Sequence, residues 1–352
     1  MDKEITRREF LNATAVTGTV LLAGNLFPGA SLAQGAIKIP ESESITITVL
    51  ADNYVDAGRA DDKIARRLKR VLSPLDTAPH GEHGLAYQIE TVVDGKPHCC
   101  LFDFGSDPQG VMKNMKLLKV DPAKVEALGI SHDHWDHQQA FLEIMKANKD
   151  AFRKGIPLYV GDPFFVGTYQ RLPNGNVISL LGLKKEDVEG LGFIRIVEIK
   201  GPAPFIPGAC FTGRVEQVTD YEKVPPRFVD KKGDDYVPTT FPGEQAVILN
   251  AKGKGLVVLS ACAHRGIVNT VKHAQKITGI EKVYLVMGGF HLTGAKPEVI
   301  QKTVADMKAI NPQYIVPTHC TGFEAVEAFS KAMPDQFIIN TVGTKYIIGT
   351  TG

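Results

Sequence analysis

A chain of 352 residues with 43% hydrophobic side chains is long enough to bury a large core, and its composition is that of neither a fibrous nor a disordered protein. Its 40 Lys and Arg oppose 39 Asp and Glu, leaving a formal net charge of +1. No basic surplus exists to bind nucleic acid or an anionic membrane surface.

The first 33 residues read as a twin-arginine (Tat) signal peptide. Thr6-Arg7-Arg8-Glu9-Phe10-Leu11 precedes a mild apolar stretch, Ala13 to Leu26, and then Ser31-Leu32-Ala33, whose small residues suit cleavage before Gln34. The stretch is too short, and too rich in Gly and Thr, to span a bilayer. The expected partner is the Tat export machinery, the expected address the periplasm or the outer membrane face, and no stable membrane insertion follows cleavage. A polar linker over 34–44 leads into a domain over 45–352.

Within that domain Ile45 to Leu50 alternates as a strand, and the charged stretch Asp56 to Arg70 reads as helical or solvent-exposed. Leu85 to Val93 and Cys99 to Phe102 form a hairpin across Asp94-Gly95. A helix is expected over 107–120, a strand over Val125 to Ile130, a helix over Ala140 to Lys149, and strands over Pro157 to Val160 and Phe193 to Ile199. Gly201 to Pro242, rich in Pro, Gly and charge, reads as a long loop or hairpin region that shapes a binding site. A second hairpin, Ala246 to Asn250 with Leu256 to Leu259, opens an alternating third. It comprises helix 266–277, strand 283–287, helix 297–309, strand 314–316, helix 323–333, and strands 337–339 and 346–348. Hairpins that twice give way to strand-helix units predict an α/β protein with two mixed sheets packed face to face and helices outside.

The chemistry is concentrated after the strand that ends at Ile130. Ser131-His132-Asp133-His134-Trp135-Asp136-His137 places three imidazoles and a carboxylate within six positions. On extended backbone His132 and His134 point the same way and can grip one ion; a helix starting at Trp135 turns Asp136 and His137 toward a second. This nitrogen and oxygen set suits zinc, and iron or manganese fit it too. Further ligands are expected at strand ends, where α/β enzymes gather their sites. His264, His291 and His319 each follow an apolar run, whereas His273, inside a helix, reads as a packing or surface residue. Five cysteines are present, Cys99 and Cys100 being adjacent, a spacing that disfavours a disulfide scaffold. Cys262 and Cys320 differ in standing within two residues of a histidine that follows an apolar strand.

Three features together resemble the metallo-β-lactamase superfamily: the His-x-His-x-Asp-His run, Leu101-Phe102-Asp103-Phe104-Gly105, and Pro317-Thr318-His319-Cys320-Thr321-Gly322. Ala51-Asp52-Asn53, Glu82-His83-Gly84-Leu85, Phe211-Thr212-Gly213, Cys262-Ala263-His264-Arg265-Gly266 and Gly288-Gly289-Phe290-His291-Leu292 resemble its dihydropterin-ribofuranosylaminobenzene phosphate synthase branch. The resemblance runs from about residue 45 to 350. It implies an αββα four-layer sandwich and a mono- or dinuclear centre. His132, His134 and His264 would bind one ion, and Asp136, His137 and His319 the other. The superfamily usually bridges its metals with an Asp where this chain has Ala261-Cys262, so a Cys262 thiolate would take that place. Gln138-Gln139 stand where small residues are common.

The expected activity is metal-dependent hydrolysis of a small-molecule ester, lactone, amide or phosphoester, most naturally with two zinc ions. Asp136 would orient the attacking water, and His291 or Arg265 would stabilise developing negative charge. The alternatives are transfer of a pterin from its diphosphate to an arylamine-type acceptor, which a periplasmic address disfavours, and a metal- or ligand-binding protein without turnover.

Overall fold

The computed structural model describes residues 36–68 and 78–349, so the segment read as a Tat signal lies outside the described residues. One sheet has eight strands, in the order Ala65–Arg66, Lys345–Gly349, Ser44–Ala51, Ala86–Val93, Lys96–Phe102, Ala127–Gly129, Ile156–Gly161 and Ile194–Ile199. The pairings are antiparallel up to Lys96–Phe102 and parallel beyond it. The second sheet has six strands, in the order Ala203–Ile206, Ala209–Phe211, Val247–Ala251, Gly255–Leu259, Val283–Gly289 and Tyr314–Thr318. It too changes from antiparallel to parallel, after Gly255–Leu259.

Alternation of side chains decides which layer each residue joins. Ile45, Ile47, Ile89 and Phe102 of the first sheet meet Phe211, Leu249, Val257 and Met287 of the second in a central core. Leu101, Leu128 and Leu158 point the other way, onto Val111 and Met115 of helix Pro108–Leu117 and Phe141 and Ile144 of helix Phe141–Ala147. On the far side Val258, Val286 and Ile315 pack under Val268 and Val271 of helix Ile267–Thr278, Val304 and Met307 of helix Pro297–Ile310, and Phe329 of helix Phe323–Ala332. Strands buried on both faces read as continuous apolar runs, as Leu256 to Leu259 does. The result is the expected four-layer αββα sandwich.

Four expectations were too simple. The stretch from Asp56 is not helical as far as Leu68: its carboxylates close turns, Asp56 accepting from the Gly58 amide and Asp61 from the Arg67 amide, and only Ala65–Arg66 pairs as a strand. Phe337–Ile339 makes a single bridge to Ile315. Residues 36–43 are tied down instead of linking freely: the Ile37 amide donates to Ile277, and Asn250 Nδ2 donates to the Ile39 carbonyl at 3.0 Å. Most consequential for the site, the segment read as a long loop or hairpin region does carry a hairpin, Phe228–Lys232 with Asp235–Pro238, and this joins a third sheet completed by Tyr169–Arg171 and Val177–Ser179.

Candidate metal centre

The strand Ala127–Gly129 lies between two parallel neighbours, and the chain leaves it extended: His134 has φ −92° and ψ 145° and caps the four-residue helix Trp135–Gln138. His132 and His134 therefore project together, and the helix carries Asp136 and His137 to one side. Within 4.8 Å of one another stand ligand atoms of His132, His134 and His264; a second group joins Asp136, His137, Cys262 and His319 under the same limit. Cys262 also groups with His264 and His291, so its thiol lies next to one member of the first group while belonging to the second.

Hydrogen bonds on the far side of each ring fix which nitrogen faces the centre. Asp103, 1% exposed, accepts from the Ser131 amide and hydroxyl, both at 2.8 Å, and from His137 Nδ1 at 2.7 Å. Ser131 has given its proton to Asp103, so at 2.8 Å it accepts from His132 Nδ1. Glu244 accepts from His264 Nδ1 at 2.6 Å, and from the His264 and Arg265 amides at 2.8 and 3.0 Å. Asn53 Oδ1 lies 3.4 Å from His319 Nδ1, and Asp52 accepts from the His319 amide and from Asn340 Nδ2. Outer carboxylates that hold imidazole tautomers are the usual support of a metal site.

With Nδ1 of His132, His264 and His319 so engaged, their Nε2 atoms, and Nε2 of His134, are buried without a hydrogen-bond partner. Leaving a buried polar atom unsatisfied costs about 1–3 kcal/mol. Three of these atoms belong to His132, His134 and His264, whose ligand atoms lie within 4.8 Å of one another and fit a cation that takes up their lone pairs; His319 belongs to the second group. Burial pushes His132 and His264 well below the ordinary imidazole range and His134 down to about 3, which keeps them neutral and able to ligate. Burial pushes the Asp136 carboxyl up, yet His137 and His319 outweigh it and hold it well below the carboxylate range. Burial pushes the Cys262 thiol well up; a bound cation would reverse this, since a coordinating thiol is deprotonated.

Backbone strain marks the same place. Asp103, Phe241, Ala263, His291 and His319 all adopt φ between 45° and 58°, a left-handed conformation costing about 1 kcal/mol or more for a residue with a side chain. Gly289 is required where the second sheet meets the centre: a Cβ there would collide with the Ala261 carbonyl and stand 2.6 Å from Cys320 Sγ.

The expected site residues are therefore brought together, with two qualifications. His291 comes in through Cys262 and His264. Arg265 does not reach the ligand clusters with its charge: its guanidinium donates to the carbonyls of Val215 and Thr240 and clamps the loop before the third sheet. His273 is buried in packing, its Nε2 3.3 Å from the Thr212 carbonyl. Gln138 likewise serves the fold, its side-chain amide donating to the Leu181 carbonyl. Sequence reasoning assigned no role to Asp52, Asp103 or Glu244. His83 stood only among the N-terminal histidines that could add a ligand; it is half-exposed, its ring stacks on His319 at 5.0 Å and its Nε2 is 3.5 Å from Asp136 Oδ2. Asp52, Asp103 and His83 stood inside runs that carry the family resemblance, a usable signal; Glu244 had none.

The chain is 33% identical over 259 residues to the 7,8-dihydropterin-6-methyl-4-(β-D-ribofuranosyl)-aminobenzene-5'-phosphate synthase of Methanocaldococcus jannaschii, covering 73% of this chain and 86% of that protein. A crystal structure described as a metal-dependent hydrolase of the β-lactamase superfamily matches with TM-score 0.65 and 22% identity, covering 86% of this chain and 98% of the other. The chain belongs to the family of that methanogen synthase, and its fold is that of the β-lactamase-superfamily structure. An uncharacterized protein of the same methanogen is 27% identical over 278 residues, covering 74% of this chain and 92% of that relative. No protein-family model matches the chain. Relatedness to that synthase makes it an enzyme, its His, Asp and Cys groups are arranged as a metal ion would require, and no described helix is long and apolar enough to cross a membrane.

Proposed function

We propose that the protein is a two-metal hydrolase of a small ester-like or phosphoester substrate, exported by the Tat route to the periplasm. The observation that carries the hydrolytic reading is the pair of adjoining ligand groups, one of three buried imidazoles with unpartnered Nε2 atoms and one of Asp136, His137, Cys262 and His319, with Cys262 also grouping with His264 of the first. His132, His134 and His264 would hold one divalent ion, Asp136, His137 and His319 the other, with Cys262 between them; zinc suits this set best and iron or manganese also fit. Bound there, the ions supply Lewis acidity, which makes a water nucleophilic near neutral pH and polarises the bond under attack.

The chain's own groups do the rest. Asp136 Oδ2, 3.2 Å from His319 Nε2 and 3.6 Å from His137 Nε2, is placed to orient the attacking water and take its proton. His83 stands between Asp136 and solvent and can pass that proton outward. His291 sits beside His264, ring centroids 4.2 Å apart, where a developing oxyanion needs a donor. Phe241, stacked on His264 at 4.1 Å, and Phe228, tilted on His134 at 5.2 Å, wall the centre and limit water.

Elemental analysis of protein from the exporting host, followed by an ester, lactone and phosphoester panel, tests this. His134→Ala should lose bound metal and turnover together, and normal activity in that variant would sink the proposal. Export is tested by replacing Arg7 and Arg8 with Lys, which should hold the chain in the cytoplasm. The second reading, pterin-type transfer, is favoured by the 33% identity to the methanogen synthase; condensation of a dihydropterin diphosphate with an arylamine, and no hydrolysis across the panel, would establish it instead.

A further inference from the structure

Two cavities flank the metal centre, and they differ in charge. The one that reaches His132 and Asp133 is walled by Phe164, Val166 and Phe241 and carries both acids and lysines. The one that reaches His264 and His291 is lined by Arg227, Lys223 and Lys296 with a single carboxylate, Glu222. Glu222 is turned away from it in function: its oxygens accept from the Val268 and Asn269 amides at 2.9 and 2.8 Å and from the Thr219 hydroxyl at 3.2 Å. Among the described residues none of the three cations forms a salt bridge, although eight other lysines and arginines do.

Arg227 is the best placed of the three. Its carbonyl is held by the Arg171 amide at 2.7 Å, at the entry to strand Phe228–Lys232 of the third sheet. Its guanidinium lies 4.8 Å from the centre of the Phe228 ring, and that ring lies 5.9 Å from His291 and 5.5 Å from His264. Stacking on an aromatic face restrains the side chain while leaving the edge of the guanidinium, with its fork of donors, free for an anion.

We propose that the substrate is an anion, and that Arg227, assisted by Lys223 and Lys296, binds its phosphate or carboxylate while the scissile group lies at the metal centre. This takes its chemistry from the hydrolytic reading above, but the binding half stands without it.

Calorimetry on the metal-loaded full chain separates the two. Phenylphosphonate and benzoate serve as the phosphate and carboxylate probes, and dimethyl phenylphosphonate as the uncharged control. At least one charged probe should bind, the control should not, and Arg227→Ala should weaken the charged probe about 10-fold or more with its metal content unchanged. Arg227→Lys should fall between, because an ammonium keeps the charge and loses the fork. The probe that loses more affinity names the anion. In parallel, 4-nitrophenyl hemisuccinate and 4-nitrophenyl acetate offer the same acyl chemistry with and without a charge, and Arg227→Ala should lower the ratio of their kcat/KM values about 10-fold. Binding of the charged probes unaltered by Arg227→Ala, or equal binding of charged and uncharged probes, overturns the proposal. Arg227-dependent binding with no ester hydrolysed leaves it standing and removes the hydrolytic reading; hydrolysis indifferent to charge does the reverse.

Discussion

Glu244 offers the sharpest test of how the centre is built, because one buried carboxylate serves both fold and metal. Its Oε1 accepts the His264 amide at 2.8 Å and His264 Nδ1 at 2.6 Å, and its Oε2 accepts the Arg265 amide at 3.0 Å. Glu244→Ala strips all three hydrogen bonds and leaves two buried backbone N–H groups unsatisfied, at about 1–3 kcal/mol each. The metal-free protein should lose about 2–6 kcal/mol in urea denaturation. With nothing to hold the proton on Nδ1, His264 no longer presents Nε2 reliably, and metal affinity should fall about 10- to 100-fold. Glu244→Gln divides the two effects. Its amide oxygen can keep both contacts to His264, while its NH2 faces the Arg265 amide, donor against donor. Stability should then drop by about 1–3 kcal/mol with metal affinity closer to that of the unaltered protein. Chelator competition followed by elemental analysis reads the affinity. If Glu244→Ala is destabilised but binds metal as tightly as the unaltered protein, the tautomer argument is refuted.

Cys262→Ala should reduce bound metal from about two equivalents to about one, because the thiol groups with Asp136, His137 and His319 and also with His264, whereas Cys262→Asp should keep both; equal metal content in all three proteins would refute a bridging role. Phe102→Ala, which empties a fully buried position between the sheets, should cost about 3–5 kcal/mol in denaturation, with the centre intact at low denaturant. Burial raises the Cys99 thiol to about 11 and the Cys210 thiol to about 12. Both folded values lie above the unfolded one, so the contribution to stability is complete below about pH 9 and is lost as pH rises toward 11, where the unfolded chain ionises first. Denaturation across that range should show a decline of about 1.4 kcal/mol per thiol for each pH step of one, which Cys99→Ala with Cys210→Ala flattens. His83→Ala should lower kcat about 10-fold or more with metal content unchanged, if the ring passes the proton from Asp136.

The sequence by itself determined what depends on near neighbours. Alternating apolar runs specify strands, because side chains on extended backbone change face at every residue, and His-x-His-x-Asp-His specifies paired ligands, because its geometry lies within one strand end and one helical turn. The order of those runs was enough for the four layers, and the histidines at later strand ends for most of the ligands. It was silent where meaning depends on partners far along the chain. Asp56 to Leu68 carries charge that reads as helical or solvent-exposed, and its carboxylates close turns. The Pro- and Gly-rich stretch before Pro242, read as a loop or hairpin region, joins a sheet with an earlier segment, where Phe228 and Val229 find their partners back at Gln170 and Tyr169. Arg265 stands next to a ligand in the sequence, yet tertiary packing turns its guanidinium onto backbone carbonyls. Glu244, one acid among 39 Asp and Glu, acquires its role only because the fold sets it against His264. A ligand can be recognised from its spacing, since spacing is local; the groups that fix its tautomer and steer its substrate are recognised by proximity, and proximity exists only once the sheets have packed.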